Sequence, residues 1–323
     1  TEVIDRLFSE IKDALLPIIK KTKKTNVKKV RISVNEETIL KCAKYILNYI
    51  GFDETRGTVG IYKNAFTSKM NENDVRITFN KTNDLLNFAT TVLHEGGHAL
   101  FEQNVSEKIN RIANTTLDNL FALSESQSRF YENMLGRNKN FWLPIFDEVK
   151  NTLNINTTLD EFIESLNTIS SSPVRLNTDE LSYCFHIIIR YEIERDLFND
   201  KIGVEEIQKV WNEKMQEYLG IKPETDKDGL MQDVHWFEGS FGYFPSYLLG
   251  TIYDGMFLEC IKNNLGNIDD ILRNGNIKEI TDYFSGNIYR FGGAYNSCEV
   301  IKRLCDKELS TKPIIEYYKN KYE

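Results

Sequence analysis

The stretch that most constrains this chain is Thr91-Val-Leu-His-Glu-Gly-Gly-His-Ala-Leu100. It carries His94, Glu95 and His98 in an H-E-x-x-H arrangement. Residues four apart on a helix lie one above the other on the same face. Both imidazoles can therefore meet one metal ion, with Glu95 beside them next to an attacking water. The alternative is an ordinary helix with two surface histidines. Two details weigh against it. The chain has four histidines in all, and two of them stand here. Gly96 and Gly97 also each cost a helix interior about 1 kcal/mol. Keeping both implies that something passes close to the backbone, either the strand at 74–79 or a bound peptide.

Two histidines and one further ligand make a catalytic zinc site with a position left for water. No third histidine follows at close spacing, so a carboxylate from a later helix is expected. Asp118, Glu125 and Glu132 all qualify on spacing alone. A site of this donor set would also accept cobalt or manganese.

The surrounding pattern is mainly helical. Apolar residues recur at helical spacing over 1–22, again over 34–50 with Ser33 as the expected N-cap, and through most of the chain from residue 83. The exceptions are Gly57-Thr-Val-Gly-Ile-Tyr62 and Asp74-Val-Arg-Ile-Thr-Phe79. These are short, β-branched and alternating, and a Ser/Asn-rich turn separates them. They are expected to pair as a small antiparallel sheet just before the metal helix, with an edge that could take a peptide as an added strand. Residues 229–250 are rich in glycine and aromatic side chains and form a candidate wall of the site.

A net charge of −8 at pH 7 argues against nucleic acid as the partner. No apolar run approaches a membrane span, and the first residues carry no signal-peptide core. The five cysteines show no CxxC spacing. Reduced thiols and a cytoplasmic location are the expectation.

Five ordered motifs then resemble the carboxypeptidase Taq family of zinc metallocarboxypeptidases. Asp74-Val-Arg-Ile-Thr78 matches D-x-R-x-T. His94-Glu-Gly-Gly-His98 is the H-E-x-x-H. Glu125-Ser-Gln127 matches the end of H-E-S-Q. Val174-Arg-Leu-Asn-Thr-Asp179 matches I-R-x-x-A-D with conservative changes, and Gly229-Leu-Met-Gln-Asp-Val-His-Trp236 fits G-x-x-Q-D-x-H-W in full. The resemblance implies a mainly α, zincin-like peptidase domain spanning residues 1–323, acting on peptides and forming a homodimer.

It also selects Glu125 as the third metal ligand beside His94 and His98. Asp118, Gln127 and Asp233 become candidates for orienting the ligands. Glu95 would serve as general base. His235, with Tyr243 and Tyr247 behind it, would stabilise the oxyanion. Arg175 is the preferred clamp for a peptide's α-carboxylate. Arg76 is the second choice, with an ion pair to Asp74 or Asp179 as its other role. Arg190 and His186 are expected to be structural.

Three departures stand out. Asn64-Ala-Phe66 replaces the family's H-P-F, Ser124 replaces the histidine before the ligand glutamate, and the family's long N-terminal helical segment has no counterpart in these residues. A more open groove is expected from the last. Two further readings follow: an oligopeptidase that cuts internal bonds, and a peptide-binding module without catalysis. Retention of Glu95 argues against the second.

Overall fold

The computed structural model describes residues 2–22, 29–112 and 121–323. They divide into two compact units built from interleaved stretches of chain. One takes residues 1–27, 167–255 and 310–323; the other takes 28–166 and 256–309.

The second unit carries the H-E-x-x-H segment. It begins with α1's successor in the chain, α2 (Glu36–Ile50), α1 (Glu2–Lys21) belonging to the first unit. The N-cap of α2 is Asn35, whose side chain accepts from the Thr38 amide; the expected cap, Ser33, lies outside the helix. Asn serves as well as Ser here, because either side-chain oxygen can satisfy an orphan amide of the first turn.

A small sheet follows: β1 (Gly57–Tyr62), β2 (Phe66–Asn71) and β3 (Asp74–Asn80). Its order is β1-β3-β2. β1 runs parallel to β3, with Gly57 opposite Val75 and Tyr62 opposite Asn80. β2 runs antiparallel to β3, with Thr67 opposite Ile77. The expected pairing of 57–62 with 74–79 is therefore present but parallel, and the stretch read as a turn is itself an edge strand. The sheet is mixed, not antiparallel. Val75, Ile77 and Phe79 alternate inward and are buried; Arg76 points to the other face and is exposed.

Helix α3 (Leu85–Gln103) packs on β2 and β3 and is capped by Asp84, which accepts from the Leu86 amide. After α4 (Glu107–Ile112), helix α5 (Phe121–Arg129) lies against α3 and continues as a π-turn over Phe130–Leu135. Asp118 lies outside the described residues. The unit is completed by α6 (Lys139–Trp142), α7 (Phe146–Leu153), α8 (Leu159–Asn167, whose last residue belongs to the other unit) and, beyond residue 256, the end of α11 (Pro245–Leu265), α12 (Ile268–Arg273), α13 (Ile277–Asn287) and α14 (Ser297–Cys305).

The two helical glycines have different neighbours from those expected. A Cβ on Gly96 would lie 2.6 Å from Ile50 and 2.7 Å from Leu47 of α2. A Cβ on Gly97 would lie 2.5 Å from the Gln127 carbonyl oxygen and 2.6 Å from Ser128 Cα on α5. Helices, and not a strand or a peptide, need the room. Cys260 and Cys305 are joined by a disulfide across 45 residues of sequence, which corrects the reading of all five thiols as reduced. Their spacing in the chain says nothing about their apposition from two separate helices.

The first unit is built on α9 (Glu180–Phe198), which packs with α1 and α10 (Ile207–Lys214). It also includes α15 (Lys312–Tyr322), which packs on α1. α1 buries Leu7, Phe8, Ile11, Leu15, Ile18 and Ile19 on one face. α9 is buried nearly all round, so its polar residues are paired: Glu192 meets Lys12, Lys214 and Tyr218, and Glu180 meets Lys321 and Tyr322. No helix among the described residues is long and apolar enough to cross a membrane.

Candidate active site

In the second unit, α3 places His94 and His98 one turn apart, their rings edge to face at 5.0 Å. The bare backbone at Gly97 lets α5 approach, and α5 delivers Glu125 to the two rings. One ligand atom from each of His94, His98 and Glu125 lies within 4.8 Å of the others. His98 Nε2 is 3.6 Å from Glu125 Oε2.

The remaining ring nitrogens are occupied. His94 Nδ1 lies 2.9 Å from Glu132 Oε2, and His98 Nδ1 lies 2.9 Å from Ser124 Oγ. With each Nδ1 held, Nε2 is the nitrogen left for a metal. Such partners fix the tautomer and orientation of a ligating imidazole. The two differ in kind: His94 is backed by a half-buried carboxylate, His98 by a neutral hydroxyl.

Charges in the cluster are strongly coupled. Burial opposes a charge on His94, but Glu125, Glu132 and Glu95 outweigh it and lift the ring to about 9. Burial likewise opposes ionisation of Glu125, yet His94, His98 and Arg129 bring its carboxyl down to about 2. Burial also works against ionised Glu132, and the contact with His94 holds it below the usual carboxylate range. Glu125 Oε1 is buried without a hydrogen-bond partner among the described residues. An unpaired buried carboxylate oxygen is costly, and a cation removes the penalty. The donor set of two nitrogens and one carboxylate oxygen, with that oxygen unpartnered, fits a divalent metal.

Glu95 is 6% exposed. Thr67 Oγ1, on β2, lies 2.8 Å from Glu95 Oε2 and 3.0 Å from the Glu95 carbonyl oxygen. Arg76, on β3 and exposed, pairs with Asp74 at 2.6 Å, the first of the two partners foreseen for it.

The first unit holds the other candidates. His235 Nε2 is 3.1 Å from the Tyr247 hydroxyl, and its ring is 5.3 Å from that of Tyr243. Burial, then the nearby Arg175 charge, pushes the His235 pKa down and favours its neutral form. Arg175 is 5% exposed. Its Nε and Nη2 donate to Asp233 Oδ1 at 3.0 and 2.7 Å, its Nη1 donates to the Tyr183 hydroxyl at 2.8 Å, and the guanidinium lies 5.0 Å from the centre of the Tyr247 ring. Arg190 is fully buried and donates to Asp233 Oδ2 at 2.7 Å. His186, also fully buried, is neutral: burial, with Arg190 beside it, takes it down to about 3. Thus His235, Tyr243, Tyr247 and Arg175 are gathered, and Asp233 bridges two arginines.

Among the described residues the Gln127 side chain hydrogen-bonds Ser126 and Tyr289 and not His94 or His98, whose Nδ1 atoms are held by Glu132 and Ser124 instead. Ser124, which holds His98, and Thr67 had no role assigned from the sequence, and Glu132, which qualified on spacing as a third ligand, instead holds His94 through Nδ1. Glu132 follows Glu125 by seven residues, two helical turns, which is the signal that could have paired them. Ser124 occupies a position marked only as a departure.

The family model for carboxypeptidase Taq (M32) metallopeptidases matches residues 1–322. The chain belongs to the carboxypeptidase Taq family. Among its relatives, carboxypeptidase 1 of Bacillus subtilis is 35% identical over 331 residues, covering 99% of this chain and 66% of that protein. Thermostable carboxypeptidase 1 of Thermus thermophilus is 30% identical over 325 residues, covering 98% of this chain and 63% of that protein. Among solved structures, the M32 carboxypeptidase from Deinococcus radiodurans R1 superposes with a TM-score of 0.91 at 28% identity, covering 100% of this chain and 66% of that one. Trypanosoma cruzi metallocarboxypeptidase 1 gives 0.91 at 27% identity, covering 100% and 67%. The chain thus spans just under two thirds of the length of the curated relatives it matches.

Proposed function

We propose that this chain is a zinc-dependent metallocarboxypeptidase that hydrolyses the C-terminal bond of peptides. The observation that carries the reading is the three-donor cluster of His94, His98 and Glu125 with Glu95 beside it. A divalent ion held there, zinc by the donor set and cobalt or manganese as substitutes, supplies Lewis acidity that polarises a scissile carbonyl and acidifies water.

The chain's own residues do the rest. Glu132 and Ser124 hold the two rings in the ligating tautomer. The Glu95 carboxylate accepts a proton from the attacking water and returns it to the leaving amine. His235, Tyr243 and Tyr247 are the proposed donors to the developing oxyanion, because they converge on one another and His235 is kept neutral. β2 is an edge strand of the sheet, along which a peptide backbone could pair. The substrate is a peptide; a cytoplasmic setting and a homodimer complete the proposal.

The α-carboxylate clamp is assigned to Arg175, with Arg76 as the alternative. Three of the five N–H bonds of Arg175 already serve Asp233 and Tyr183, which leaves two for a substrate carboxylate. The burial of Arg175, only 5% exposed, favours a second reading, an oligopeptidase on which the peptide's end is not gripped.

The deciding experiment compares an unblocked peptide, its C-terminally amidated twin and a longer internally quenched peptide on the zinc-loaded protein. Cleavage of the free acid alone supports the carboxypeptidase. Cleavage within the other two supports the oligopeptidase. Absence of turnover with stoichiometric zinc defeats both. Arg175→Ala should raise KM for the free acid; an unchanged KM removes the clamp assignment. Glu95→Gln should lower kcat by about 10²–10⁴ with zinc still bound.

A further inference from the structure

We propose that Thr67 is a positioning residue for Glu95, setting which carboxylate oxygen faces the reacting water. This rests on Glu95 acting as the base. A glutamate at the end of a flexible side chain has two equivalent oxygens, and a base is effective only when one of them is held at the right place. Thr67 removes that freedom. Its Oγ1 lies 2.8 Å from Glu95 Oε2, and Glu95 is 6% exposed. The hydroxyl has one proton to give. The Glu95 carbonyl oxygen competes for it, but at 3.0 Å it is the more distant acceptor, against 2.8 Å for Oε2.

The hydroxyl itself is rigidly mounted. Threonine is β-branched and stiff at χ1. Thr67 sits in register with Ile77 of β3, so its backbone is fixed by the sheet. Two residues on, Lys69 faces the same way and reaches Glu102 Oε2 at 3.2 Å and Asn110 Oδ1 at 2.9 Å. Residues 95 and 102 are two turns apart on one face of α3. β2 is thus pinned to the helix at two points, and one of them is the catalytic carboxylate. A strand that only closed a sheet would turn apolar side chains to α3, as β3 does with Val75, Ile77 and Phe79.

The test uses the zinc-loaded chain and the variants Thr67→Val, Thr67→Ser and Glu95→Gln on a free-acid peptide. Thr67→Val keeps the shape and removes the hydroxyl. It should lower kcat about ten- to a hundred-fold, leave KM within about twofold and retain one zinc per chain. Thr67→Ser should recover kcat to within about threefold, since it restores the donor. A second readout needs neither metal nor turnover: thermal unfolding of the metal-free protein in a cycle of Thr67→Ala and Glu95→Ala. The two shifts in Tm should be non-additive, the second substitution adding little to the first.

The inference is overturned if Thr67→Val turns over like the parent while Glu95→Gln is inactive, if KM alone rises, or if the two Tm shifts add. Equal loss in the Val and Ser variants also overturns it. Full turnover by Glu95→Gln is a separate result, which removes the base assignment and this inference with it.

Discussion

The bridge at Asp233 makes a stability prediction whose size follows from the structure. Asp233 lies between Arg175 and Arg190, with Arg190 Nη2 2.6 Å from Oδ2 and Arg175 Nη2 2.7 Å from Oδ1. Burial works against its charge, but the two guanidinium groups overcome this and hold the carboxyl at about 2, against 3.8 ordinarily. At about 1.4 kcal/mol per pKa unit, ionisation of Asp233 contributes on the order of 2 kcal/mol to folding. Because the folded pKa is the depressed one, that contribution is complete above about pH 4 and is lost as pH falls towards 2. Asp233→Asn should do more than cancel it. The substitution leaves Arg190, wholly buried, and Arg175, nearly so, without a counter-charge, which costs about 3–5 kcal/mol. Urea unfolding followed by tryptophan fluorescence is a suitable assay, since Arg190 lies 4.6 Å from the Trp211 ring. The variant should unfold at lower urea at pH 7, and the gap from the parent should narrow between pH 4 and 2. Equal midpoints at pH 7, or a gap that persists unchanged at pH 2, would refute the reasoning.

The metal cluster yields further predictions. Glu132→Ala should weaken zinc binding by about 10–100-fold in a chelator competition, and Ser124→Ala should weaken it less, because only Glu132 brings a charge to its histidine; a larger effect of Ser124 would reverse that ranking. His94 is lifted to about 9 and must lose its proton to bind a metal, so zinc affinity measured by isothermal titration should fall as pH drops below about 9, by up to about tenfold per pH unit. In the metal-free protein the same raised pKa stabilises the fold fully below pH 6.5 and ceases to do so as pH rises through about 9. Gly97→Ala should cost about 1–3 kcal/mol in thermal unfolding and also weaken zinc binding, because its Cβ would press on the backbone at Gln127 and Ser128 and drive Glu125 from the histidines.

What could be read from the residues alone depended on whether the signal was local. His94, Glu95 and His98 share one helical turn, so spacing placed them together. α1 and α2 each bury one face, and their apolar periodicity marked them. Glu125 and Glu132 differ in role for a reason that spacing cannot supply. Both follow on one helix, but the π-turn over Phe130–Leu135 carries Glu132 to the Nδ1 side of His94. The neighbours of Gly97 come from about thirty residues later, so its need for space was visible and its cause was not.

β2 is the instructive failure. A half-buried strand is recognised by alternating apolar residues, and Phe66-Thr-Ser-Lys-Met-Asn71 lacks them on its inward side. Its inward side chains are Thr67 and Lys69, and they face Glu95 and Glu102 on α3. A core-facing strand with apolar residues there would have been seen, but it could offer Glu95 no hydrogen-bond donor. The polar character that hid the strand is the character its contact with Glu95 requires. A short polar stretch between two clear strands, two elements before an H-E-x-x-H helix, is therefore a place to look for a side chain that holds the glutamate.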